Sequence, residues 1–436
     1  MQTPPDRRSF LKTTTAAAAG AALTSTIARS ANAAGSDEIR FVLVGCGGRG
    51  TGAAAQIFNT KGNVKLVAVA DAFAANAERA LKSLSRGENE SKVDVPPEQV
   101  FAGLDAYKAA IDVDADLVII ATPPGYKPQQ FEYAVNKGRH IFMEKPVATD
   151  AAGVRRVLAS VEESKKKELM VAIGLQRRHE PTYMETIARI HDGAIGDVIS
   201  QQVYWNGGGI WYRNRTADQT EMAFQTNNWY HFNWVCGDQI CEQHIHNLDV
   251  GCWVKGMYPV ECNGMGGREQ RMGGDASKSQ IFDHTFCEYT FPDGTKMFSQ
   301  GRHLAGGWNH VGEHVQGTKG TANPGGWIKG EKDWEFSGKK VNGHQQEQHD
   351  LIEALMRGEI YNEGEYGAHS TFTAILGREA CYSGKVVKWD ELLETGTELA
   401  PGIDDFTIDS EVPVSARPDE NGLYPVPVPG KHNPFA

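Results

Sequence analysis

The sequence predicts an α/β chain, an N-terminal doubly wound parallel sheet followed by an α+β domain with a large, mostly antiparallel sheet. Three observations predict it. Short continuous apolar runs alternate with helical patterns through residues 39–174, as strands buried on both faces of a parallel sheet require. A glycine loop, Gly45-Cys46-Gly47-Gly48-Arg49-Gly50, joins the first such run to the first helix. After about Gln176 the pattern changes to strands set off by Gly-rich turns, with few helices.

In chain order, residues 39–44 read as a strand, 51–58 as a helix, and 64–70 as a second strand ending at Asp71. Residues 74–84 read as a helix and 85–97 as a polar loop. Strands at 117–121, 140–143 and 169–174 then alternate with helices at 129–136 and 153–166. In the second part, strands are expected at 198–205, 284–291, 296–301 and 314–317, with Pro292-Asp293-Gly294 turning between two of them. Amphipathic helices follow at 345–356 and 366–382, the latter closed by Gly384. From about Thr395 the chain is Pro-rich and aperiodic. The expected division is a leader at 1–33, a nucleotide-binding domain at 37–176, and an α+β domain at 177–394 with a late helix packing back on the first. A surface arm at 395–436 completes it.

The 436 residues carry a formal net charge of −11, and removal of residues 1–33 leaves −14. An acidic surface argues against nucleic acid or an anionic membrane as the main partner. Seven cysteines without a CxxC pair do not make a disulfide scaffold; most read as small buried apolar residues. An oxidising compartment permits one disulfide, and spacing singles out no pair.

Asp6-Arg7-Arg8-Ser9-Phe10-Leu11-Lys12 resembles the twin-arginine export signal, followed by a weakly hydrophobic Ala/Thr-rich stretch and by Ala31-Asn32-Ala33 for signal peptidase. The leader is too short and polar for a transmembrane helix, and no later run reaches a membrane span. The expected location is the periplasm. Twin-arginine export moves folded proteins, so a cofactor would travel inside.

The loop is GxGxxG between strand and helix. Gly45 allows the tight turn, Gly47 lets backbone approach a pyrophosphate, and Gly50 lets helix and strand pack closely. The helix start, with Gly48 and Arg49, offers N–H groups and partial positive charge to phosphates. Asp71 ends the next strand, where a carboxylate accepts from adenosine ribose hydroxyls and repels a 2′-phosphate. NAD(H) is therefore favoured over NADP(H).

Glu144-Lys145-Pro146 follows a strand at the carboxyl edge of the sheet, where open sheets bind ligands. A lysine there stabilises a developing alkoxide. The glycine loop, Asp71, Thr122-Pro123-Pro124, Glu144-Lys145-Pro146, Gly174-Leu175-Gln176-Arg177-Arg178 and the segment 237–249 together resemble the glucose–fructose oxidoreductase/inositol dehydrogenase/MocA family. The resemblance extends to Gly317-Thr318-Lys319-Gly320 and covers nearly all of the chain beyond the leader. It implies a Rossmann domain binding NAD, with Gly45, Gly47, Gly48, Arg49, Gly50, Asp71, Thr122, Pro123, Glu144, Lys145 and Gln176 at the cofactor. It makes Lys145 the catalytic lysine, and places an acidic residue and a histidine, here Glu242 and His246, beside the nicotinamide.

Residues four apart share a helix face, so Glu242 and His246 line up, and Asp249 is expected to extend their stripe. His246 is the natural general base near neutral pH. Glu242, longer than the Asp of many relatives, is expected to bind the imidazole or a substrate hydroxyl. His244 and His246 point to different helix faces, so no metal is expected there. Most of the aromatics around this helix read as core; Arg213, Trp229 and Tyr230, with Asp249, are the expected substrate contacts, suited to a polyol.

The expected function is NAD(H)-dependent oxidation or reduction at a secondary hydroxyl of a sugar, cyclitol or glycoside, with tightly retained cofactor. The alternative is a glycoside hydrolase that oxidises and re-reduces its substrate; several such relatives lack the Glu-Lys-Pro lysine, which this chain keeps. A non-catalytic sugar-binding protein is the third hypothesis, to be told apart by substitution of Lys145 or His246. A homo-oligomer is expected, since a sheet-rich second domain often offers a dimerisation face.

Overall fold

The computed structural model describes residues 38–272 and 279–435. The leader at 1–33 lies outside the described residues.

The first sheet has six parallel strands in the order β3-β2-β1-β4-β5-β6. They are β1 (Glu38–Val44), β2 (Asn63–Asp71), β3 (Val100–Ala102), β4 (Leu117–Ile120), β5 (His140–Met143) and β6 (Val171–Ile173). Alternate residues of β1 feed opposite cores, as the strand period of two requires. Phe41 and Leu43 pack against Ala53 and Ile57 of helix Gly48–Phe58. Val42 and Val44 face Phe131, Val154 and Val157 on the other side. Leu351, Ile352 and Leu355 of helix Gly343–Arg357 join the first of these cores, so this late helix packs on the first sheet. The reversal of strand order between β1 and β4 opens the crevice in which such sheets bind ligands.

The second sheet is mixed, with nine strands, and all its neighbours are antiparallel except the pair β7–β10. Its strands are β7 (Val198–Gly207), β8 (Glu261–Gly267), β9 (His284–Thr290), β10 (Lys296–His303) and β11 (His310–Gly317). They continue with β12 (Gly320–Asn323), β13 (Trp327–Gly330), β14 (Trp334–Glu335) and β15 (Val387–Lys388). The fold is the predicted α/β architecture with two sheets. Gly294, at φ +82°, turns the chain between β9 and β10.

Helix Gly364–Ser383 ties the sheets together and ends at Gly384, φ +65°. Glycines let it press on both: a Cβ on Gly367 would stand 2.9 Å from Ile173 of β6, and one on Gly377 2.0 Å from the Tyr289 hydroxyl of β9. Beyond helix Trp389–Thr395, Ala400, Val412, Ala416 and Tyr424 of the C-terminal segment pack on Tyr126, Phe232 and Trp234.

Candidate active site

The cofactor side of the site is built from strand ends. Gly45 has φ +97°, and a Cβ there would meet Ala121 and Thr122 backbone at 2.6 Å, so only glycine fits. A Cβ on Gly50 would stand 1.9 Å from the Gly45 carbonyl oxygen, which closes helix against strand. Gly47 and Gly48 instead face open space, and helix Gly48–Phe58 begins without a side-chain cap. This open cradle and the unspent N–H groups fit a pyrophosphate. Asp71 Oδ2 accepts from Cys46 N at 2.8 Å, while Oδ1 accepts from Phe73 N and Asn76 Nδ2 at 2.9 Å. The carboxylate therefore fixes the loop from below.

A cleft of about 1110 Å³ runs from this loop to the second sheet's domain. Gly45, Gly47, Gly48, Arg49, Asp71, Thr122, Pro123, Glu144 and Lys145 line one side, with Arg213, Trp229, Glu242 and His246 opposite. Single-ligand pockets span about 300–1,000 Å³, so the cleft has room for a dinucleotide and a small second ligand.

Lys145 is held from beneath. The buried Lys127 ammonium donates to the carbonyls of Glu144 (2.7 Å), Lys145 (3.2 Å) and Pro146 (2.9 Å), across a cis Lys145–Pro146 peptide. Burial pulls Lys127 down to about 7. Lys145 Nζ reaches the other wall, where it donates to the Glu242 carbonyl and, at 3.2 Å, to Glu242 Oε1. Burial raises the Glu242 carboxyl against the lowering effect of Lys145, and its Oε2 makes no hydrogen bond.

Residues Ile240–His244 form one π-helical turn that passes into α-helix Ile245–Lys255. Such turns recur at functional sites, and this one brings Glu242, Gln243 and His246 to the cleft together. The His246 ring stacks on Trp205, centroids 5.8 Å apart, and its buried Nδ1 has no hydrogen-bond partner. Burial first, and then the Lys145 charge, hold His246 well below the usual histidine range. His244 turns away to Ser299 Oγ at 2.6 Å, and burial brings it down to about 3.

The expected stripe does not reach Asp249. Beyond the π turn that residue is buried and accepts from Arg178 Nε and Nη2 at 2.8–3.1 Å and from Ser370 Oγ at 2.6 Å. Glu242 likewise engages Lys145 rather than the His246 imidazole. Tyr230 sits buried beside Trp229, rings 5.3 Å apart, and does not line the cleft. Gln176 lies under the start of helix Gly343–Arg357, where a Cβ on Gly343 would stand 2.9 Å from its Cγ. Arg213 stacks over Trp211 at 4.1 Å, near enough to Arg79 for that charge, after burial, to lower it.

Three residues absent from the expected set belong to this geometry: Lys127, His344 and Glu347. The Lys127-Pro128 pair opens helix Lys127–Asn136, a signal indistinguishable in sequence from an ordinary helix start. His344 lines the cleft, and its Nδ1 lies 3.3 Å from Glu347 Oε1. Arg49 Nε lies 2.5 Å from Glu144 Oε1, and its Nη2 3.6 Å from Glu347 Oε1. Donor atoms of Glu144, His344 and Glu347 fall within 4.8 Å of one another; the Arg49 guanidinium is the cation between the carboxyls. All seven cysteines are buried and free, with Cys287 and Cys381 Sγ 3.4 Å apart.

Residues 39–173 match the model of an oxidoreductase family with an NAD-binding Rossmann fold, and residues 4–24 match the twin-arginine signal sequence. An inositol 2-dehydrogenase of Rhizobium meliloti is 36% identical over 160 residues, 37% of this chain and 43% of the relative. A scyllo-inositol 2-dehydrogenase (NAD(+)) of Bacillus subtilis is 24% identical over 52% of this chain and 57% of its own. The matches thus span about half the length of these relatives. Among solved structures, scyllo-inositol dehydrogenase from Lactobacillus casei with bound NAD(H) and scyllo-inositol superposes with TM-score 0.61 at 20% identity, over 81% of this chain and 99% of that one. Aldose–aldose oxidoreductase from Caulobacter crescentus gives TM-score 0.63 at 19% identity, over 80% and 99%. At these identities the structural likeness speaks for the fold. Among the described residues no helix is long and apolar enough to cross a membrane.

Proposed function

Residues 39–173 form an NAD-binding Rossmann domain of the Gfo/Idh/MocA oxidoreductase family, and on that premise we propose that the chain oxidises or reduces a secondary hydroxyl of a cyclitol, sugar or glycoside. The single observation that carries this is one cleft shared by the glycine loop, Asp71, Lys145, Glu242 and His246. Bound in the cleft, NAD supplies the hydride acceptor or donor.

His246, kept neutral by burial and by Lys145, takes the hydroxyl proton of a substrate held in the cleft it lines. Lys145, steadied by Glu242 and seated by Lys127, donates to the same hydroxyl oxygen and stabilises the alkoxide as charge develops. Trp205 fixes the plane of the imidazole. Trp211 and Trp229 offer aromatic faces to the C–H surface of a polyol ring, with Arg213 beside them. The names of the curated relatives favour a cyclitol within this class.

The twin-arginine signal favours a particular form of the reaction. A protein exported folded to the periplasm meets no free nicotinamide pool, so the dinucleotide is retained and turnover is redox-neutral. Sugar-to-sugar hydride transfer satisfies this. So does a glycoside hydrolase that transiently oxidises its substrate, the second function in play. A panel of cyclitols, sugars and aryl glycosides, assayed in parallel for cofactor reduction and aglycone release, tests the proposal. Reduction of the bound cofactor by a polyol, or an oxidised product paired with a reduced one, supports it; aglycone release without either moves the assignment to the hydrolase; none of these, with intact bound NAD, refutes both.

A further inference from the structure

The proposed chemistry leaves one buried group, behind the cleft-lining residues Glu144 and His344, without a role. Glu347 sits one turn beyond His344 on helix Gly343–Arg357, with its side chain only 1% exposed. Its Oε1 faces His344 at 3.3 Å and Arg49 at 3.6 Å, and its buried Oε2 has no hydrogen-bond partner. The same guanidinium is held far more closely, at 2.5 Å, by Glu144 of the Glu-Lys-Pro segment. Two carboxyls therefore share one cation, unequally, directly beside the catalytic lysine. Buried carboxyls are retained where a charge answers them, and among the described residues Arg49 answers only one in full.

A nicotinamide ring supplies the missing charge in one of its two states: it is cationic when oxidised and neutral when reduced. We propose that Glu347 and Glu144 form a carboxyl pair, half neutralised by Arg49, that binds the oxidised dinucleotide in preference to the reduced one. The inference rests on the assignment of this cleft to NAD(H). Several charges bear on Glu347: Arg49 from the glycine-loop helix, Glu144 from the loop after β5, and His344 from its own helix. His179 and Tyr361 lie within its electrostatic reach. Asp350 and Glu363 hold His179 up at about 10, so its charge is constant around neutrality.

Burial and the Glu144 charge raise Glu347 to about 7. A cationic ring favours the ionised carboxyl, so the oxidised complex titrates lower than the reduced one. Below both values Glu347 is protonated in either complex and contributes no preference. As pH rises between them, preference for the oxidised form grows, and above both it levels off. Oxidation of an alcohol releases one proton as hydride leaves; near neutral pH Glu347 takes up part of a proton as the ring loses its charge, so the bound reaction releases less than one.

The test removes any retained nucleotide from the full-length protein, equilibrates it with equimolar NAD+ and NADH in a chelating buffer, separates the complex, and measures the bound ratio by extraction across about pH 6 to 8. The expected ratio favours NAD+ and rises with pH in the wild type. In Glu347→Gln it falls about tenfold at the alkaline end, the effect of one unit charge across a cleft wall, and loses its pH dependence. A flat ratio in the wild type overturns the proposal without any variant, as does a Glu347→Gln ratio identical to wild type. Failure to bind either nucleotide would instead overturn the NAD(H) assignment, and the proposal with it.

Discussion

Asp249→Asn separates a structural from a substrate-binding carboxylate. The side chain is 1% exposed and takes Arg178 through both guanidinium edges at 2.8–3.1 Å, with Ser370 as a further donor at 2.6 Å. The amide removes the charge and leaves the Arg178 guanidinium, itself 16% exposed, without a counterion. Breaking such a pair by losing one partner costs about 3–5 kcal/mol; Ser370 and the remaining amide oxygen place this variant near about 3 kcal/mol. Chemical denaturation of nucleotide-loaded wild type and variant reads that cost, and calorimetric titration reads NAD affinity on the same proteins after the nucleotide has been removed. Loss of stability with affinity changed less than about threefold is expected. A variant as stable as wild type that binds or turns over substrate poorly would refute the structural role and return Asp249 to the cleft.

Three further outcomes follow from the same geometry. Gly50→Ala forces a Cβ to within 1.9 Å of the Gly45 carbonyl oxygen; it should cost about 3 kcal/mol of stability and abolish NAD retention, and retention at wild-type level would contradict the helix–loop closure. Lys127→Met withdraws the donor shared by the Glu144, Lys145 and Pro146 carbonyls. Turnover should fall about a hundredfold through misplacement of Lys145, and unchanged kinetics would count against the brace. Because burial and Lys145 hold His246 well below 6.5, kcat/KM for oxidation should stay level as pH falls to 6.5 and decline only below it, where the imidazole gains its proton; an acid limb above 6.5 would point to another base.

Much of the first sheet is legible in sequence because its strands are buried on both faces, so residues 41–44, 117–120 and 141–143 stand out as unbroken apolar runs. Val100–Ala102, only three residues long, is too short to do so. The second sheet hides for a different reason. β8 reads Glu-Cys-Asn-Gly-Met-Gly-Gly, a turn-like composition, yet its glycines are what let helix Gly364–Ser383 approach: a Cβ on Gly264 would stand 2.8 Å from Cys381 Sγ. The candidate site divides the same way. The glycine loop, Asp71 and Lys145 are local to strand ends and carry their geometry in sequence. Glu242 and His246 were legible as a pair, but the π turn that presents them, and the departure of Asp249 to Arg178, are tertiary. Glu347 lies in a Gln- and His-rich run that reads as a solvated helix face, and only the packing of that helix on the first sheet buries it.

The most direct measurement follows reduction of the bound nucleotide after mixing NAD+-loaded protein with myo- or scyllo-inositol in a single turnover, in wild type, Lys145→Ala and His246→Gln. The account predicts reduction in the wild type and, in both variants, NAD+ still bound while reduction slows by about 10²–10⁴-fold. Variants that reduce the nucleotide as fast as wild type would contradict it.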